Sequence, residues 1–258
     1  MSEHVHVHLD VDGPVAVITL NRPDKLNAIT PGMAAALRAG LDRVDADPGV
    51  RVAVLTGAGE RSFCVGSDIG ELDAYATPWE FRNRGDYGDA VRALRKPLIA
   101  AVNGYAYGGG LELAMACDIR LAADTATFAA PEIKLGWIGG SGQSALLAHA
   151  VGPSNAATML LTGDPIDASR ALRWGLVTDL HPREELLPAA LELAGRIAAR
   201  PPIAAQTAKA NVRAAYSMPL EQAIRYERDL QTVCFATADA AEGRAAFAER
   251  REPVFEGR

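Results

Sequence analysis

Two glutamates stand in stretches that are otherwise apolar or rich in glycine. Glu112 lies in "NGYAYGGGLELAMACD", just after Gly108, Gly109 and Gly110. Glu132 follows Pro131 in "FAAPEIKLG". A carboxyl group shielded from water is pushed toward its neutral form, which suits proton transfer near neutral pH. Two such groups in unlike surroundings can divide acid and base duties. Both residues also have plainer explanations. An acid in a first helical turn complements the helix dipole, and a glutamate after proline fits a surface turn. The chain between them is long enough for a helix and a strand to return to the same place.

The glycines supply a partner chemistry. They separate the apolar run "PLIAAVNG" from Leu111, Glu112, Leu113, Ala114 and Met115, which are good helix formers. They therefore fall at a strand-to-helix crossing, where main-chain N–H groups lack helical partners and the dipole favours negative charge. Without Cβ atoms, a ligand can come close to that backbone. The arrangement predicts a site for a developing oxyanion. It does not fit a dinucleotide fingerprint, which needs GxGxxG in an early βαβ unit, nor a P-loop, which needs Lys-Ser or Lys-Thr after its last glycine. A second loop, "RSFCVGSDIGEL", follows the run "VAVLTG", and Gly66 and Ser67 there offer another main-chain N–H. An ordinary strand-end loop would read the same way.

Other motifs point elsewhere. Gly139-Gly140-Ser141-Gly142-Gln143 suggests a serine nucleophile, but Gln143 breaks the GxSxG elbow. Nothing in the sequence brings His149 or His181 to Ser141. His4, His6 and His8 share one face of an alternating strand. They have no acidic ligands near them, and an exposed edge strand accounts for them. No metal site is expected.

The elements that must hold these groups follow from patterning. "HVHVHLDVDGPVAVITL" reads as two strands about a turn at Asp12-Gly13. Thr30-Pro31 is a helix start, followed by Leu37, Leu41 and Val44 at helical spacing. "VRVAVLTG", "PLIAAVNG" and "DIRLAA" are candidate buried strands. Strand and helix in alternation predict an α/β core. From about Pro188 the pattern is helical: "PAALELAGRIAAR", "IAAQTAKANVRAAYS", "LEQAIRYERDLQTVCFA" and "DAAEGRAAFAERR", punctuated by Pro201-Pro202 and Pro219. Asp239 and Glu242 have the spacing of a capping box. The expected division is a core over residues 1–195 and a helical segment over 196–258.

Composition narrows the class. The chain has 258 residues, 49% of them hydrophobic, and a net charge of −6. That suffices for one large core. No Lys/Arg run forms a nucleic-acid stripe. Cys64, Cys117 and Cys234 are far apart and form no CxxC pair. The N-terminus lacks the basic start and apolar block of a signal peptide, and the longest uncharged stretch is too short for a membrane span. A cytoplasmic protein without membrane or nucleic-acid partners is expected.

Taken in order, these segments resemble the crotonase, or enoyl-CoA hydratase/isomerase, family. The likeness starts at "VAVITLNRPDKLNAIT". It runs through "FCVGSDIGEL" and "KPLIAAVNGYAYGGGLELAMACDIRLAADTATFAAPEIKLG", and ends at "EGRAAFAERREPVFEG". The resemblance implies a spiral of ββα units with a helical C-terminal segment that mediates trimer contacts, in a homotrimer or a dimer of trimers. It implies an acyl-CoA thioester substrate, with coenzyme A entering as part of the substrate and no separate cofactor. By motif position, the amides of Ser67 and Gly109 would hold the thioester oxygen. Glu112 and Glu132 match the two catalytic glutamates of the hydratases, and the presence of both favours hydration. Substrate contacts are implied for Lys25, Val65, Asp68, Trp137 and Gly140. Lys25 would approach the CoA phosphates, and the stretch around Phe247 and Arg250 the adenine side.

The chain also departs from the family pattern. Where hydratases usually read GxxPGxGGTQRL, it reads "GWIGGSGQSALL", with Gly139 in place of the proline and Ser144-Ala145-Leu146 in place of Thr-Gln-Arg. Ser67 stands where alanine is commoner. Trp137, Tyr75 and Trp79 would shape the pocket for a particular chain length or an aromatic acyl group. Isomerisation, thioester hydrolysis, decarboxylation and dehalogenation draw on the same oxyanion chemistry, and a non-catalytic acyl-CoA binder would not need the acid pair.

Overall fold

The computed structural model describes residues 6–72 and 75–258. His4, one of the three alternating histidines, lies outside them. Strands β1 (Val7–Asp12) and β2 (Val15–Leu20) form an antiparallel hairpin. Helix α1 (Pro31–Ala46) begins as the sequence predicts. Thr30 caps it by accepting from the Met33 amide, and Met33, Leu37, Leu41 and Val44 are buried on one face.

A two-strand-and-helix unit then recurs. β3 (Val52–Gly57) and β4 (Ser62–Cys64) lead to the short helices α2 (Ile69–Leu72), α3 (Pro78–Arg82) and α4 (Tyr87–Ala93). β5 (Leu98–Val102) and β6 (Tyr105–Tyr107) lead to α5 (Gly109–Ala116). β7 (Ile119–Ala123) and β8 (Thr127–Ala129) lead through a 3-10 turn at Pro131–Leu135 to α6 (Gln143–Val151) and α7 (Pro153–Thr162). Then come β9 (Ile166–Asp167), α8 (Ala168–Trp174), β10 (Asp179–His181) and α9 (Arg183–Ala198). The chain closes with α10 (Pro202–Ala214), α11 (Leu220–Phe235) and α12 (Ala238–Glu249).

The first strand of each unit enters a six-stranded sheet of order β1-β2-β3-β5-β7-β10, parallel from β2 onward. The second enters a four-stranded sheet of order β4-β6-β8-β9. This is the expected spiral. Every residue of β3 and β5 is buried, so both strands read as continuous apolar runs instead of alternating ones. The strands of the second sheet are only two or three residues long, too short for periodicity to reveal.

Three details differ from the sequence expectations. Helix α9 starts at Arg183, and Pro188 lies inside it. The bond that Pro188 cannot make would go to the Glu184 carbonyl, and both residues are exposed to water. The boundary expected at residue 195 falls within α9, whose Ala190, Ala194 and Ala198 belong to the main core. Helix α9 itself ends at Ala198. Helix α12 is capped by Thr237, which accepts from the Ala240 amide. Asp239 is buried and instead accepts from the amides of Glu256 and Gly257, while Glu242 binds Arg251. The predicted capping box therefore anchors the C-terminal tail. No helix among the described residues is long and apolar enough to cross a membrane.

Candidate active site

The ends of β4 and β6 place two glycine-bearing loops side by side. After Cys64 the chain turns through Gly66 at φ +89°. The Ile29 amide donates to the Gly66 carbonyl, and the Asp68 amide donates to the Ile29 carbonyl. This parallel bridge uses residues 66 and 68, so the N–H of Ser67 turns away from Ile29. After β6, Gly108 adopts φ +54° and ψ −125°, which only glycine tolerates well, and Gly109 starts α5. The Gly109 N–H lies in the first turn, where helical partners are absent. The two loops touch. A Cβ on Gly66 would sit 2.7 Å from the Gly109 nitrogen, and one on Gly109 would sit 3.1 Å from the Gly66 Cα.

Glu112 is one turn further along α5 and is only 4% exposed. The amides of Ser141 (2.7 Å) and Gln143 (3.1 Å) both donate to its Oε1. Burial pushes its pKa up to about 7, the nearby Glu132 and Asp86 carboxylates add to the shift, and the two amides oppose it. Glu132, on the 3-10 turn after β8, lies over Gly108, where a Cβ would meet its Oε1 at 2.8 Å. The Gln143 Nε2 donates to both oxygens of Glu132, at 2.9 Å each. Main chain and side chain of one residue thus join the two carboxyl groups.

Around this pair lies a cavity of about 760 Å³. Its lining includes Val65, Gly66, Ser67, Gly108, Gly109, Glu112 and Glu132, together with Phe81, Leu135, Trp137, Ile138 and Gly140. A second cavity of about 460 Å³ adjoins it, with Ser67, Arg84, Asp86 and Tyr87 lining both. The Tyr87 hydroxyl is 3.1 Å from the Ser67 Oγ and packs against Gly109. Burial holds that phenol well above its ordinary pKa, so it stays protonated.

The expected residues separate into groups. Glu112, Glu132, Ser67, Gly109, Val65, Trp137 and Gly140 line the main cavity together. Asp68 lines the adjoining cavity, paired with Arg22 at 2.6 Å, and that bond lowers its pKa. Lys25 lies exposed on a 3-10 turn and lines neither cavity. Tyr75 lines the adjoining cavity, Trp79 lines neither, and Phe81 takes the aromatic place in the wall. Phe247 is 87% exposed on α12. Ser141 does reach the carboxyl pair, but its hydroxyl donates to Asp86 and not to a histidine. His149 stacks on Tyr216, and His181 lies near Asp179. His8 pairs with Asn21. Among the described residues, no group of three His, Cys, Asp or Glu side chains gathers as metal ligands would.

Sequence reasoning missed Gln143, Tyr87 and Asp86. Gln143 did leave a signal: a polar residue after a glycine run, at the head of an apolar helix.

Comparison with known proteins agrees with this geometry. The enoyl-CoA hydratase/isomerase family model matches residues 10–258. The chain is 41% identical to an (E)-benzylidenesuccinyl-CoA hydratase of Thauera aromatica, covering 97% of this chain and 99% of that one. It is 38% identical to a crotonyl-CoA hydratase of Syntrophomonas wolfei, covering 97% of each. Among solved structures, an enoyl-CoA hydratase from Geobacillus kaustophilus superposes with a TM-score of 0.92 at 38% identity, over the full length of both chains. The chain belongs to the enoyl-CoA hydratase/isomerase, or crotonase, family.

Proposed function

We propose that this protein catalyses the reversible syn addition of water to a 2-enoyl-CoA thioester. The observation that carries this reading is the pairing of Glu112 and Glu132 through Gln143, beside the contact between Gly66 and Gly109. The amides of Ser67 and Gly109 polarise the thioester carbonyl and stabilise the enolate oxygen. Glu112, held by two amides on Oε1, has Oε2 left for the attacking water and takes its proton as the oxygen bonds to C3. The electrons of the C2–C3 double bond pass into the enolate, and Glu132 delivers a proton to C2. Coenzyme A enters with the substrate, and this chemistry needs no separate cofactor.

Phe81, Leu135, Trp137 and Ile138 give the cavity an apolar wall suited to an extended or aromatic acyl group. Similarity to a hydratase of a benzylidenesuccinyl thioester supports the same reading. Exposed Leu220, Val233, Phe235 and Phe247 on α11 and α12 support assembly into a homotrimer or a dimer of trimers. Three cysteines without a disulfide fit a cytoplasmic setting.

The test is the loss of conjugated-thioester absorbance when crotonyl-CoA is hydrated, with Glu112→Gln and Glu132→Gln alongside. Each substitution should lower kcat by about 10²–10⁴. Thiol release without hydration would overturn the reading in favour of hydrolysis. Equal rates on short, long and aromatic enoyl-CoAs would remove the assignment of the apolar wall.

A further inference from the structure

Gln143 holds an unusual position for a residue that touches no expected substrate atom. It is 2% exposed and opens α6. Its Nε2 reaches both oxygens of Glu132, its main-chain N–H reaches Glu112, and its Oε1 accepts from the Gly139 amide at 3.2 Å. That last contact fixes the amide's orientation. Only oxygen can accept from Gly139, so nitrogen must face the carboxyl group.

We propose that Gln143 is a positioning residue that holds the Glu132 carboxyl group in place while its proton leaves and returns. The inference rests on the hydratase reading above. Nε2 stands at equal distance from Oε1 and Oε2, so it can bond whichever oxygen is unprotonated. The carboxyl group keeps its tether in both states, and the other oxygen stays free to serve C2. The charged or titratable neighbours of the pair are few. Asp86 caps α4 and Tyr87 opens it, while Glu112 and Glu132 face each other from α5 and the 3-10 turn.

Sterics tie this device to a second residue. A Cβ on Gly139 would lie 2.6 Å from the Cβ, Cδ and Oε1 of Gln143. The usual family pattern has proline at the place of Gly139 and glycine at the place of Gln143. The two departures therefore form a matched pair, because the open backbone at 139 makes room for the side chain at 143.

The experiment compares Gln143→Met with the wild type on crotonyl-CoA. The substitution keeps the volume and the main-chain N–H and removes only the side-chain donor. kcat should fall about 10-fold or more, the usual scale for a lost hydrogen bond to a charged group, while KM moves less than twofold. Gly139→Ala should produce the same split, because it displaces the side chain. In a Glu132→Gln background, Gln143→Met should add no further loss. Wild-type kcat in Gln143→Met overturns the proposal. So does an equal loss in the Glu132→Gln background, because that marks a general structural effect. A crystal structure of Gln143→Met supplies the second readout, with Glu132 expected to turn from its place over Gly108. An unmoved Glu132 overturns the proposal even if the wild type leaves crotonyl-CoA unchanged, which would count against the hydratase reading alone.

Discussion

Gly66 and Gly109 lie in backbone contact, so close that a methyl group on Gly66 would come within 2.7 Å of the Gly109 nitrogen. Ser67, next to Gly66, and Gly109 both line the cavity beside this contact. Gly109→Ala would place its Cβ 1.9 Å from the Tyr87 Oη, the movable end of a side chain. The fold should survive and the oxyanion site should not. A loss of about 10²–10³ in kcat is expected, with a smaller loss of stability than Gly110→Ala. Gly110→Ala is the contrast, since its Cβ would lie 1.9 Å from the Cys64 carbonyl oxygen, which is fixed backbone. That variant should give little soluble protein, and expression trials of the pair would check the difference.

The raised pKa of Glu112 sets the pH dependence of rate. As the base, Glu112 must be ionised, so the rising limb of kcat/KM against pH should have an apparent pKa near 7. A rate that instead falls through pH 7 would transfer the base role to Glu132.

The same shift costs stability. The folded protein keeps a proton on Glu112 up to about pH 7, whereas an unfolded glutamate releases it near 4.5. The fold therefore binds more protons than the unfolded chain in that window, and stability falls as pH rises from about 4.5 to 7. The full effect is up to about 3 kcal/mol. Denaturant titrations of Glu112→Gln should lack this contribution, and at pH 8 the variant should be more stable than the wild type.

Lys209 ties the helical segment to the sheet. Its Nζ lies 2.7 Å from Asp118 and 2.6 Å from the Lys96 carbonyl, and it is buried. Lys209→Met leaves Asp118 with one cation fewer and should cost about 3 kcal/mol of stability. Crotonyl-CoA hydration per folded molecule should stay near wild type, because neither residue lines the cavity.

What was legible in the sequence was what local chemistry dictates. The β-branched run at 52–57, the Thr30 cap and the glycine crossing at 108–110 each carry their own signal, and each became the element expected. Resemblance supplied Glu112, Glu132, Ser67 and Gly109 as a group, and the fold lines one cavity with all four. The two- and three-residue strands of the second sheet were invisible because their partners are distant in sequence and their length is below any period. Gln143 was read only as a broken motif, because its role depends on a side-chain contact with Glu132 that no local spacing marks. Asp239 had the spacing of a cap, but the C-terminal amides compete for it and win.

The clash built into positions 139 and 143 also constrains history. Starting from proline at 139, a glutamine at 143 would have no room, so a lineage reaching this arrangement must acquire Gly139 first. The reverse path is equally ordered, with position 143 shrinking before 139 can regain a side chain without displacing the glutamine. Single exchanges between this protein and relatives of the commoner pattern should therefore fail in one direction and succeed in the other.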